Sequence, residues 1–263
     1  MEARDAWDSA LKLLPESSQQ AAWIRNKVAE LEQTASAWSE LGHAAANKRD
    51  VVRASAGAFI VSFALFIVFE SLYGGVKFGI GFSVLILVHE FGHFIDIKRR
   101  GMKADLPVFL PGLGAFVRFR SAIDSREVRA GVSLAGPLAG LLSAAACGIL
   151  WYLTGDKFWA SLAQSAAWLN LLNLTPVWVL DGGQAASALS KAQRGLILIA
   201  AILMWRVTGE SVYFVVAAGA LFRVFTKDTP KESSPKMAVY FAALVILLGA
   251  VMYFVPGKGF GIQ

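Results

Sequence analysis

At 263 residues, 56% of them hydrophobic and with a mean hydropathy of +0.54, the chain carries more apolar surface than a soluble domain of its length normally holds, which excludes an ordinary soluble enzyme. The net charge of +6 would suit a nucleic-acid partner, but Lys and Arg cluster at the ends of apolar runs, so no nucleic acid is needed to explain it. The single cysteine, Cys147, excludes both an intramolecular disulfide and a cysteine-built zinc site.

Residues 1–50 are polar and read as a cytoplasmic helical segment of two helices, interrupted by Pro15-Glu16-Ser17-Ser18. In the second, Ile24, Val28, Leu31, Ala35 and Trp38 recur at spacings that line one helical face. Such a stripe needs a cover: the first helix through Trp7, Leu11 and Leu14, the membrane surface, or a regulatory partner. His43 has no neighbour at ligand spacing. The first long apolar run begins only near Ala54, so a cleaved signal peptide is not expected.

Apolar runs long enough, or nearly so, to cross about 30 Å of hydrocarbon follow at 53–73, 76–97, 130–153, 158–178, 194–208, 210–225 and 237–255, the fifth and sixth being short. With the N-terminus inside, the inner flanks hold Lys48, Arg49 and Arg53, then Lys98, Arg99, Arg100, Lys103, Arg118, Arg120, Arg126 and Arg129, then Lys191 and Arg194, then Arg223, Lys227, Lys231 and Lys236. Only Lys77, Lys157, Arg206 and Lys258 fall outside, which orients the chain in a cell membrane with a cytoplasmic N-terminus.

The second run contains His89-Glu90-Phe91-Gly92-His93. Residues four apart share a helical face, so the two imidazoles can converge on one zinc ion, with Glu90 placed as a general base. Ionisable groups inside a span are costly and point to function. A chance match on a core helix is the alternative, and a third ligand decides between the two. Glu70 lies at the far end of the first run, and Asp96 sits near the inner boundary of the histidine helix, suited to a supporting or interfacial role.

Between 101 and 129 the chain is too long and too apolar for a solvated loop. Residues 106–110, Pro111-Gly112-Leu113-Gly114 and 115–120 read as strand, turn and strand. Such a hairpin must be buried in protein, line a wet cavity or lie on the headgroups.

The fourth run ends in Asn173-Leu174-Thr175-Pro176-Val177-Trp178-Val179-Leu180-Asp181-Gly182-Gly183. Pro176 interrupts the helix, and the glycine pair permits close backbone approach or positive φ. Asp181 is therefore the best candidate for the third ligand, reaching the same side of the membrane as His93; a simple Asp-Gly turn is the alternative.

Taken together, the HEFGH run, Ala135-Gly136-Pro137, Asn173 with Pro176, and Leu180-Asp181-Gly182-Gly183 resemble the site-2 protease family of intramembrane zinc metalloproteases, over about residues 76–184. The resemblance implies a three-helix catalytic core with one Zn2+ per chain held by His89, His93 and Asp181. It further implies that Glu90 activates water, that the hairpin is a membrane-associated β element, and that a single-span membrane protein is cleaved within the bilayer. Members of that family often carry Asn four residues after the Gly of the Ala-Gly-Pro motif, where this chain has Gly140.

The expected fold is an all-α polytopic membrane protein of six or seven transmembrane helices. Residues 51–75 would form the first helix, 76–192 the catalytic core with a β-hairpin at 104–120, and 193–263 the C-terminal helices. The rival reading is a non-catalytic membrane zinc-binding or transport protein, which gives Glu90 no role.

Overall fold

A computed structural model of the chain describes residues 22, 25–27, 29, 48–112, 114–116, 125–177 and 180–257. The chain divides into two compact units, Met1–Ala56 and Gly57–Gln263. In the first, residues 22, 25–27, 29 and 48–56 are helical; the expected packing of Trp7, Leu11 and Leu14 on the second helix, and His43, lie outside the described residues.

Helix α1 (Lys48–Arg99) is broken at Gly75, whose φ of 77° and ψ of 161° are open to glycine but not to an L side chain in a helix. The chain reverses there: a Cβ placed on Gly79 would stand 2.6 Å from the Cα of Ser71. The runs read separately at 53–73 and 76–97 are thus the two arms of a helical hairpin.

A two-stranded antiparallel ribbon follows, β1 (Val108–Leu110) and β2 (Gly114–Phe116), with Phe109 opposite Ala115. It is shorter than the hairpin read from the sequence. Gly114, read as part of the turn, already pairs with Leu110; residues 117–120 lie outside the described residues. An aromatic stripe on the first arm of α1 holds the ribbon. Phe109, 1% exposed, packs 4.8 Å from the ring of Phe63 and 5.5 Å from that of Phe66, and its amide donates to the Ser62 hydroxyl.

The remaining helices are α2 (Arg126–Thr154), α3 (Lys157–Asn173), the short α4 (Asp181–Ala186), α5 (Lys191–Thr208), α6 (Val212–Phe225) and α7 (Pro235–Phe254). Their limits follow from local chemistry. Ser125, Asp156, Ser190 and Ser234 each accept a bond from an amide of the first turn, Ser190 in a full capping box, and Pro235 opens α7 where no amide is required. Gly155 and Gly209 end α2 and α5 in the left-handed conformation. Helix α3 ends at Asn173, ahead of the expected 178, because the chain leaves the helix just before Pro176.

Among the described residues, three helices are long and apolar enough to cross a membrane: Ala56–Arg99, Arg126–Thr154 and Pro235–Phe254; the apolar Val212–Phe225 is shorter. Large apolar side chains such as Leu72, Leu142, Leu203 and Val239 point outward, while the interior between α2 and α3 is built from small ones, including Ala144, Ala163 and Ala167. That choice lets the helix backbones approach closely where lipid offers no hydrophobic drive to association.

Candidate metal centre

The second arm of α1 presents His89 and His93 on one face, their rings 4.8 Å apart and nearly perpendicular. Pro176, Val177 and Leu180 lie outside any helix, and Asp181 opens α4. It starts a helix, so the simple terminating turn weighed from the sequence is not what forms. One oxygen of Asp181, Oδ2, lies 3.2 Å from His89 Nε2 and 3.3 Å from His93 Nε2, and the two Nε2 atoms are 3.1 Å apart.

Neighbouring groups fix both imidazole tautomers. His93 Nδ1 stands 2.8 Å from the Val132 carbonyl, an acceptor only, so it must donate. His89 Nδ1 stands 2.7 Å from Asn170 Oδ1. The Asn170 amide is itself oriented because its Nδ2 donates to the Ala166 carbonyl at 2.7 Å, which leaves its oxygen to accept from His89. Both Nε2 atoms therefore turn lone pairs toward each other and toward a carboxylate. Three lone pairs held this closely repel unless a cation or a proton lies among them. Ligand atoms of a tetrahedral zinc with bonds of about 2.0–2.1 Å sit roughly 3.3 Å apart, the separation found here. The donor set and its outer partners therefore fit zinc.

Glu90, on the same turn as His89, is 6% exposed and close enough to both imidazoles and Asp181 to feel their charge. The other carboxylates weighed from the sequence are elsewhere: Asp96 pairs with Arg100 at 2.6 Å and Arg99 at 3.8 Å, and among the described residues the histidine pair is joined only by Asp181. Glu70 stays on the first arm of α1, half-buried.

The geometry depends on glycines opposite the imidazoles. A Cβ on Gly136 would collide with the His93 ring, and one on Gly140 would collide with the Asn170 amide. Pro137, one residue on, has no amide to offer the Ser133 carbonyl one turn back. Gly140 is thus the complement of Asn170, a residue the sequence reading passed over in favour of Asn173, which closes α3 half-buried. Its signal was present: an amide within Trp168-Leu169-Asn170-Leu171-Leu172 is as costly as a histidine in a span. Trp178 and Val179 lie outside the described residues.

The fold and site thus define a helical membrane protein with a two-histidine, one-carboxylate centre buried between helices. Residues 77–157 match the model of Peptidase family M50, and the resemblance to the site-2 protease family is shown by this match and the relatives that accompany it. "Probable zinc metalloprotease EGY1, chloroplastic" of Arabidopsis thaliana is 30% identical over 116 residues, 42% of this chain and 20% of that protein. The rice protein of the same name (Oryza sativa subsp. japonica) is 34% identical over 65 residues, 23% of this chain and 11% of its own. "Probable zinc metalloprotease EGY2, chloroplastic" of Arabidopsis is 31% identical over 91 residues, 33% and 16% respectively. The aligned part thus covers a fifth or less of the length of these relatives. No solved structure gives a significant match.

Proposed function

We propose that the chain is an intramembrane zinc metalloprotease that hydrolyses a peptide bond within or next to the transmembrane helix of a single-span substrate. His89, His93 and Asp181 would hold one Zn2+, and Glu90 would act as the general base. The observation that carries this reading is the convergence of three ligand atoms, all within 4.8 Å of one another, on a buried site with a carboxylate beside it. The chain would cross the membrane six or seven times, counting the arms of α1 separately, with a cytoplasmic N-terminus.

Bound zinc supplies Lewis-acid chemistry, lowering the pKa of water toward about 7 and polarising a carbonyl. The protein does the rest. Val132 and Asn170 hold the imidazoles as Nδ1–H tautomers with Nε2 free to ligate. Glu90 receives a proton from the attacking water and returns it to the leaving amine. A substrate helix must unwind to be cut, exposing backbone groups that hydrocarbon cannot satisfy. The ribbon of β1 and β2 is the element whose free edge could pair with the extended segment by strand addition. Proline placed in the ribbon should then block cleavage and leave zinc content intact; unchanged cleavage excludes that role.

The test of the main reading compares membranes carrying the wild type with membranes carrying Glu90→Gln. Membrane-bound precursors should accumulate in the variant while stoichiometric zinc is retained. Zinc flux that survives Glu90→Gln, with no precursor accumulating, would instead identify the membrane zinc-binding or transport protein.

A further inference from the structure

Helix α4 carries Asp181 yet has six residues, too few for its own hydrogen bonds to fix its position. Besides the local bonds that the amides of Ser187, Ala188 and Leu189 donate to the carbonyls of Gln184, Ala185 and Ala186, three arginines reach carbonyls of α4 and of its C-cap residue Ser187. Arg223, in the last turn of α6, donates through Nη2 to the Gly183 carbonyl at 2.8 Å. Arg194, in the first turn of α5 with its side chain 1% exposed, donates through Nε to the Ala186 carbonyl at 3.2 Å. Arg126, the first residue of α2, donates to the Ser187 carbonyl at 3.3 Å.

One acidic residue sorts these three cations. Asp228, in the linker before α7, accepts from Arg194 Nη1 at 3.0 Å through Oδ1 and from Arg223 Nη1 at 2.6 Å through Oδ2, while its backbone carbonyl accepts from Arg126 Nη1 at 2.8 Å. Without that carboxylate the buried guanidinium of Arg194 would face those of Arg223 and the exposed Arg126 uncompensated. The arrangement reaches α4 and its C-cap from α2, α5, α6 and the linker, and among the described residues no hydrogen bond or ion pair joins it to the imidazoles.

We infer that Arg223, Arg194 and Asp228 are positioning residues for the metal centre: a clamp on the carbonyls of α4 that holds the Asp181 carboxylate against the two histidines. This rests on the reading of Asp181 as a ligand. It gives the C-terminal helices, which lie beyond the family-matched segment, a task in the site. Because the clamp bears on one ligand of three, its loss should weaken the contribution of Asp181 and leave that of the histidine pair untouched.

The experiment is a double-mutant cycle on the full-length protein in detergent, with zinc affinity read by competition against a chromophoric chelator. Arg223→Gln should weaken zinc binding about tenfold, the lower end of what an outer partner costs. In an Asp181→Ala background the same substitution should change it by less than about twofold. Should Arg223→Gln not fold, Asp228→Asn replaces it with the same expectation, since its side chain is 41% exposed and nearly isosteric. An affinity that depends on Asp181 but ignores the clamp variant, or that falls equally in both backgrounds, overturns the clamp alone. An affinity indifferent to Asp181→Ala overturns the ligand assignment and the clamp with it.

Discussion

Gly136→Ala tests whether the centre is set by close approach of helices. A Cβ at 136 would overlap the Nε2 and Cε1 positions of His93 and stand 2.7 Å from its Cδ2. Carbon atoms pack at about 3.5 Å, so the ring must retreat by roughly 1 Å. It has little room to do so: Nδ1 is tied to the Val132 carbonyl, and α1 already presses Gly92 against the Ala135 carbonyl. Metal–ligand distances tolerate about 0.2 Å, so with the proposed ligand set the displaced imidazole should no longer reach the ion. We expect overpacking of about 1–3 kcal/mol in stability. Zinc affinity should fall at least 100-fold, beyond the roughly 10–100-fold that loss of an outer partner costs. Chelator competition on detergent-solubilised protein measures the affinity, with helix content by circular dichroism as the check on folding. Gly195→Ala, where a Cβ meets nothing within 4 Å, is the matched control and should bind zinc as the wild type does. A folded Gly136→Ala protein with wild-type affinity would refute the geometry.

Asn170→Ala removes the acceptor that fixes the His89 tautomer and should weaken zinc about tenfold; Gly140→Ala displaces the same amide, so the double variant should be no worse than the weaker single, and additive losses would show the two positions to be independent. Phe109→Ala removes a ring packed against Phe63 and Phe66 and should raise amide exchange at 108–116 by at least tenfold with zinc affinity unchanged; exchange like that of the wild type would show that the stripe does not hold the ribbon. For Asp228, partial burial works to raise the carboxyl pKa, but hydrogen bonds from Thr226 and Arg194 and the charges of Arg194 and Arg223 outweigh it and hold it below the usual value. A depressed folded pKa gives stability that is present above the unfolded value of about 3.9 and is lost as pH falls through the folded one. The gap in thermal midpoint between wild type and Asp228→Asn should therefore be constant near neutrality and close progressively below about pH 4; a gap independent of pH down to 2 would exclude this linkage.

The parts of the site that lie within one helical face were legible in the sequence. His89 and His93 announce themselves because their spacing is the helical repeat, and Glu90 beside them because charge in an apolar run is conspicuous. Asp181 was legible for a different reason: a proline and a glycine pair interrupt an apolar run and leave a carboxylate at the break. Asn170 was not singled out, since its meaning depends on which residue faces it, and the glycine at 140 is informative only once α2 and α3 are paired. The reversal at Gly75 was visible as a gap between two apolar runs, whereas the length of the ribbon was not. Strand ends are set by pairing partners, and three-residue strands carry too little alternation to show their own limits.

The arginines illustrate the remaining gap between pattern and structure. In the sequence, Arg126, Arg194 and Arg223 are flanking cations that orient the chain in a bilayer, and that explanation is sufficient. In the fold, the same three side chains meet at one short helix because α2, α5 and α6 all begin or end beside it. A charge placed to orient a helix end already lies beside the carbonyls of neighbouring segments, and the burial of Arg194 is offset by the carbonyls and the carboxylate that it reaches. The acidic partner is what separates the two roles. Orientation alone asks for no carboxylate, yet Asp228 bridges two of the guanidiniums and binds the third through its carbonyl. A flanking lysine would have satisfied the membrane equally well, but it lacks the planar fork that can hold a carbonyl and a carboxylate at once.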